Sequence, residues 1–351
     1  MALSLKRSSK AAKSVVGLDL DPSHLAAAEV HVNGQIVVTR GAVMPLRPGI
    51  LRDGEVADGP GLTEALKEMW AGTDLPKSVR LGIANQRIVV RTLDLPPLDD
   101  PKAIGAAVRV EAPDHIPMPM DEAVLDFQSL GTVNTPGGPR TQVVVVAVRR
   151  EMVDRYSEAV RAAGLRVEGI DLSAFALVRS MYNDLTDAEG GLLFVNVAGL
   201  TNVAVTSGQH CLFTRAASGG LDGMVHTLAD RRGLTHEHAA QWMFHVGLEQ
   251  PLEGLEGDQE ILAATRTVLE EGVHQLADTV RNSLNFYRMQ QSASQVDRAV
   301  LTGPAVGIAG MPERLGAALN MPFEARTVAQ RGEVQDATRL GVAAGLAVES
   351  L

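Results

Sequence analysis

Three short stretches of this 351-residue chain have residue types and spacing that chemistry could use. The first is an acidic turn, Asp21-Pro22-Ser23, just after Asp19. The second is Ala198-Gly199-Leu200-Thr201, directly after Asn196-Val197. The third is Leu301-Thr302-Gly303-Pro304, followed by Gly307 and Gly310. Tight turns between strands offer backbone N–H groups to an anion, so two such tips facing each other suit a phosphate ligand. Asp171 stands alone as a carboxylate just ahead of Ser173. His236, Glu237 and His238 suggest a metal, but residues i and i+2 lie on different helix faces and the HExxH spacing is absent. Thr235 as N-cap with an acid in the first turn accounts for that run instead.

The elements that must position these residues follow from periodicity. Ser14–Leu20 reads as a strand and Leu25–Val32 as a second; Asn33-Gly34 is a type I′ hairpin signal before a third, Gln35–Arg40. Residues 45–61 read as a loop, Leu62–Trp70 as a helix and Val79–Ala84 as a strand. A β-α-β-β block spans about 86–148: strand Gln86–Asp94, a helix opened by Asp100-Pro101 and stopped near Ala112 by prolines, then strands Val124–Leu130 and Gln142–Val148. Helix Met152–Ala163, strand Val167–Leu172 and helix Ser173–Asn183 complete the first half. At Gly191 the opening pattern returns as Leu192–Val197, Asn202–Thr206 and Cys211–Arg215, a duplication of element order with little identity. Helical stretches Thr235–Val246, Ile261–Leu269 and Val273–Met289, strand Asp297–Leu301 and helices Pro312–Leu319 and Gly341–Val348 follow. The expected organisation is a basic tail (1–13), a first lobe (14–190) holding the insert, and a second lobe (191–351) with a helical subdomain at about 222–292.

Composition narrows the function classes. At 45% hydrophobic and 21% charged, the chain has material for a substantial core, and only 3% aromatic residues means aliphatic packing. A net charge of −10 and the scarcity of aromatics argue against nucleic acid as a partner. No secretory signal or apolar run of membrane-spanning length is evident. The single cysteine, Cys211, cannot form an internal disulfide, which fits a reducing cytoplasm. Lys6, Arg7, Lys10 and Lys13 read either as a solvated tail or as a weak tether to anionic lipid.

Several motifs resemble one family over nearly the whole span from Ser14 to Leu351. In the insert these are Leu93-Asp94-Leu95-Pro96, Glu111-Ala112, Ile116-Pro117-Met118-Pro119 and Val124-Leu125-Asp126-Phe127. Beyond it come Val146-Ala147, Arg149 to Val153, Ala163-Gly164-Leu165, Ile170-Asp171, Ala174-Phe175-Ala176-Leu177 and the run from Arg281 to Tyr287. Together they resemble the PilM family of type IV pilus assembly proteins, within the superfamily of actin, hexokinase and heat-shock ATPases. The cell-division protein FtsA is a relative with a different insert. The resemblance implies an α/β fold, actin-like (ribonuclease-H-like), of two duplicated lobes with a small β-α-β-β insert subdomain.

The resemblance also implies a nucleotide site, with ATP and Mg²⁺ as its cofactors, and this chain departs from its pattern. In the superfamily both hairpin tips cradle phosphates and an Asp from each orients Mg²⁺. Asp19 holds the first such position, as a metal-water ligand or as a turn-stabilising carboxylate. Asp21 stands where a Gly is usual and puts a negative charge toward the phosphates, ahead of Pro22 and Ser23. Asn196 replaces the second Asp; Gly199 and Thr201 remain. Ala239, Ala240 and Met243 lack the Glu and Lys of the adenosine-contacting helix, and Pro304 replaces the glycine after Gly303. Asp171 holds the place of the water-polarising acid, or else caps the helix at Ser173. Losses of about 1–3 kcal/mol each would take micromolar ATP binding to millimolar or weaker. The expectation is a degenerate cleft in a non-catalytic scaffold; the alternatives are an active actin-like ATPase and, last, a sugar or acyl kinase.

For partners, the resemblance implies the cytoplasmic N-terminal tail of the bitopic membrane protein PilN, and contact with the pilus motor or platform, at the inner face of the cytoplasmic membrane. The tail is expected in a groove between the first lobe and the insert, bordered by Ile104, Val108, Glu111, Ile116, Met118 and Met120. The alternative is that these residues pack the insert helix onto its own sheet.

Overall fold

A computed structural model describes residues 14–181, 190–208, 210–290, 293–332, 334 and 336–349. The basic segment 1–13 and the end of the helix expected over Ser173–Asn183 lie outside them. Strands β1 (Val16–Asp21), β2 (His24–Val32) and β3 (Ile36–Pro45) form an antiparallel meander. A small hairpin, β4 (Leu51–Arg52) with β5 (Glu55–Val56), interrupts what the sequence suggests is loop. Helix α1 (Gly59–Ala71) starts where the Asp58 carboxylate accepts the Gly61 N–H at 2.9 Å, and it leads to β6 (Ser78–Ile83), parallel to β1.

The insert contains β7 (Val89–Leu95), α2 (Pro101–His115), β8 (Ala123–Thr135) and β9 (Gly138–Arg149), with sheet order β7-β9-β8. Helix α2 runs past Pro113 to His115 instead of stopping at Ala112. The ring removes only its own N–H from the last turn, and the Ile116 N–H still reaches the Ala112 carbonyl at 2.9 Å. Helix α3 (Arg150–Ala162), strand β10 (Arg166–Leu172), parallel to β6, and helix α4 (Ser173–Met181) follow.

The second half repeats the plan. Strands β11 (Gly191–Val197), β12 (Thr201–Ser207) and β13 (His210–Ala217) form a second antiparallel meander. Helices α5 (Leu221–Arg232), α6 (His236–Val246) and α7 (Gln259–Arg288) cover that sheet. The two stretches expected at Ile261–Leu269 and Val273–Met289 are one 30-residue helix, about 45 Å long. Gly272 does not break it: its bare Cα makes room for Met224 of α5, whose sulfur would lie 2.5 Å from an added Cβ. Strand β14 (Val296–Thr302) runs parallel to β11, and helix α8 (Met311–Leu319) precedes β15 (Phe323–Ala325). The chain then returns to the first sheet as β16 (Ala329–Gln330), paired with β3, and ends in helix α9 (Gly341–Leu346).

The orders β3-β2-β1-β6-β10 and β13-β12-β11-β14-β15 coincide, with matching strand senses. One apolar core lies under α1 and α3 and another under α5, α7 and α8. A third, holding α4 and α9, fills the space between the sheets with Leu177, Phe194, Val300 and Leu340. The hairpin tips β1–β2 and β11–β12 meet beside it.

Candidate functional site

The cleft between the lobes is built on strand ends. In the parallel register Asp19 of β1 and Asp171 of β10 both lie level with Gly82 of β6, which places the two acids on one face, two strands apart. In the second lobe Asn196 of β11 lies level with Thr302 of β14.

Asp21, at the end of β1, reaches across the cleft. Its Oδ1 accepts the Gly199 N–H at 2.9 Å and its Oδ2 the Leu200 N–H at 3.2 Å, both from the β11–β12 tip. Within its own turn Oδ1 also accepts the Ser23 N–H at 2.9 Å and the Ser23 hydroxyl at 2.5 Å. His24, also buried, places Nδ1 3.4 Å from the same oxygen and 3.2 Å from a guanidinium nitrogen of Arg339. Burial pushes the Asp21 carboxyl up, but the hydrogen bond and charge of His24 and the Ser23 bonds outweigh it and hold it at about 2. A Cβ at position 199 would lie 2.3 Å from Asp21 Oδ1, so the approach requires glycine there. With Asp21 in place, the two N–H groups that the second tip would offer an anion are already bonded.

Asp19 is buried behind this bridge, with the Ser173 hydroxyl donating to its Oδ1 at 3.3 Å. Burial, then the neighbouring Asp21 charge, pushes its carboxyl up to about 7. Its counterpart Asn196 accepts the Thr302 hydroxyl at 3.1 Å. Asp19 and Asn196 thus each accept a buried hydroxyl, but from different places: from Ser173 at the start of α4 in the first lobe and from Thr302 on β14, the counterpart of β6, in the second. Thr201 donates its hydroxyl to the Gly219 carbonyl at 3.3 Å, and Gly303 turns the chain after β14 with φ +85°. Near the mouth of the cleft the Ser218 hydroxyl donates to Asp53 Oδ1 and accepts from Gln86, both at 2.6 Å.

Asp19, Ser23, Asn196, Gly199, Thr201 and Gly303 thus gather around the two tips. Asp171 does not join them. It is ion-paired to Arg179 and accepts the Leu172 N–H at 2.7 Å; Arg179 in turn holds the Gly345 carbonyl. Ala239 and Met243 are buried in the second-lobe core.

The insert's residues divide by face. Along β9, Val143, Val145 and Ala147 point toward α2, where they pack with Ile104, Val108, Ala112 and Ile116. Met118 and Met120 pack at the edge of that cluster, and Glu111 is exposed. The residues expected to border the partner groove therefore mostly form the insert's own core. Val144, Val146 and Val148 point the other way and, with Val124 of β8, Ile170 of β10 and Phe175 of α4, line a cavity of about 570 Å³. The cavity lies where the insert meets the first lobe, beside β8 and β10, which are edge strands of their sheets. The sequence signal for it was the unbroken apolar run from Val143 to Val148, which marks a strand covered on both faces.

A profile of the family described as type IV pilus assembly protein PilM matches residues 17–351. The chain belongs to the PilM family. A chain of a solved PilM–PilN type IV pilus biogenesis complex is 27% identical, with a TM-score of 0.75 over 95% of this chain and 97% of that one. The ethanolamine utilization protein EutJ from Carboxydothermus hydrogenoformans is 15% identical, with a TM-score of 0.53, over 95% of this chain and 88% of that one. MreB5 of Spiroplasma citri, solved with ADP, is 11% identical, also at 0.53, over 94% of each chain. These last two likenesses establish the actin-like fold and nothing further, and the doubled α/β unit of this PilM-family chain is that fold. Among the described residues no helix is long and apolar enough to cross a membrane.

Proposed function

We propose that this PilM-family chain is a non-catalytic assembly scaffold that captures the N-terminal tail of a PilN-like membrane protein and keeps its lobes together without nucleotide. The observation that carries the reading is the groove between β8 and β10. Two strands at the edges of their sheets border it and an aliphatic floor lies between them, which suits an extended peptide adding as a strand. The similarity to a solved PilM–PilN complex supports the class of partner. Docking such a tail would place the chain at the cytoplasmic face of a membrane through its partner, with the pilus motor or platform within reach.

The Asp21 bridge supports the nucleotide-independent part. ATP with Mg²⁺ does not fit these residues: a phosphate would compete with a buried carboxylate for Gly199 and Leu200 and face like charge. Asn196 brings no charge to a cation. The pairing of Asp171 with Arg179 weighs against both a hydrolytic and a kinase role, since the one acid that the resemblance offers for orienting a nucleophile is turned to a partner within its own lobe. The test is fluorescence-anisotropy titration of a synthetic PilN-like tail peptide into the full chain, with and without ATP·Mg. Saturable binding of equal affinity in both is expected. Absence of binding, or binding only with ATP·Mg, would overturn the reading.

A further inference from the structure

The corner between α5 and α6 gathers three side chains that neither the cleft nor the groove uses. Asp222 and His226 stand one turn apart on α5 and share a face. The chain leaves α5 through Gly233, at φ +62°, and α6 opens with His236 behind the Thr235 cap. One donor atom from each of Asp222, His226 and His236 lies within 4.8 Å of the other two. His236 Nε2 is 2.8 Å from Asp222 Oδ1, and the two imidazole rings meet edge to face with centroids 4.9 Å apart. Sequence spacing does not reveal this set, because the partners of His236 are not its helix neighbours Glu237 and His238 but residues of the preceding helix.

Two imidazoles and a carboxylate are the donor set of a borderline divalent cation such as zinc, not of calcium or magnesium, which take oxygen ligands. Tetrahedral ligands at about 2.1 Å from a metal lie roughly 3.4 Å apart, so the Asp222–His236 pair, at 2.8 Å, must open by about half an ångström, and any donors near the 4.8 Å limit must close by an ångström or so. The backbones that carry them are fixed: Leu221, Met224, Val225 and Leu228 bury α5, and Ala239 and Met243 bury α6. The histidine rings are exposed, and the His236–Asp222 hydrogen bond would be exchanged for bonds to the metal. Both helix N-termini would repel a cation, and the Asp222 and Glu237 carboxylates in their first turns offset that.

We propose that Asp222, His226 and His236 bind one zinc-class divalent cation, with a fourth position left to water, and that the ion pins α6 to α5. The proposal is independent of the scaffold role. The experiment is calorimetric titration of the full chain with ZnCl2, paired with the visible absorption of the CoCl2 complex. One equivalent should bind, raise the melting temperature and give tetrahedral cobalt bands. His236→Gln and His226→Gln should each weaken binding by about tenfold or more, while His238→Gln, exposed on the same helix, should leave it unchanged. Circular dichroism checks that the variants are folded. Failure of zinc to bind saturably at millimolar concentration would overturn the proposal, as would one-equivalent binding that persists in both variants.

Discussion

Asp21 Oδ1 accepts the Gly199 amide at 2.9 Å, so a side chain from the first hairpin completes the turn of the second. The turn that the sequence resemblance assigns to a phosphate is bonded instead by a carboxylate of the chain itself. Removing it should show at once in stability. Asp21→Ala leaves the Gly199, Leu200 and Ser23 donors without their acceptor and should cost about 3–5 kcal/mol in urea denaturation at neutral pH.

Asp21→Gly restores the residue usual at that place and frees the same donors. One recovered hydrogen bond to a charged group, about 1.5–3 kcal/mol, corresponds to a roughly tenfold or greater gain in affinity for ATP·Mg over the unsubstituted chain. Calorimetry on the two proteins side by side would reveal it; equal affinities would separate Asp21 from the closure of the site.

The partner position is equally constrained. A methyl at Gly199 would sit 2.3 Å from Asp21 Oδ1 and 2.9 Å from the Ser23 nitrogen, one of them a buried carboxylate and the other backbone. Gly199→Ala should therefore destabilise by about 1–3 kcal/mol, and combining it with Asp21→Ala should cost less than the sum.

The two buried acids of the first hairpin should give opposite pH signatures. Asp21 is held at about 2 against an ordinary 3.8, so its contribution is complete above 3.8 and is lost as pH falls toward 2. Asp19 is raised from 3.8 to about 7, so the folded state holds its proton more tightly; stability is highest below 3.8 and declines as pH rises through about 7. Asp19→Asn should remove that decline, because the amide oxygen it introduces can accept from Ser173 as Asn196 accepts from Thr302. The variant should be more stable than the parent by about 1–3 kcal/mol at pH 8 and no more stable at pH 4, in denaturation at the two pH values.

Partner capture separates the two faces of the insert's sheet. Val124→Glu puts a charge into the groove and should weaken the PilN-like tail by at least about tenfold. Met118→Asp, on the α2 side, should leave the affinity unchanged in the same anisotropy assay.

Much of this architecture was legible in the sequence because it is local. Asn33-Gly34 marks a hairpin, Asp100 and Thr235 mark helix starts, and the return of strand–turn–strand at Gly191 marks the duplication. The caps Asp58 and Asp258, by contrast, do not stand out, and the helix from Gly59 reads as loop as far as residue 61. The chemistry of Asp21 was half legible: its charge at a glycine position signalled conflict with a phosphate. Its destination was not, since Gly199 is 178 residues away and only the packed lobes bring them together. Ile104 and Val108 illustrate the converse. A helical apolar stripe tells that a face is covered, but not by what, and here the cover is the insert's own β9. Asp171 looked free because Arg179, its partner one helix later, is charged in any sequence and paired only in the fold.

The most direct test of a cleft filled by its own carboxylate is calorimetric titration of ATP·Mg into the unsubstituted 351-residue chain. The Asp21–Gly199 bridge predicts a dissociation constant of millimolar or weaker; low-micromolar, saturable binding would contradict it.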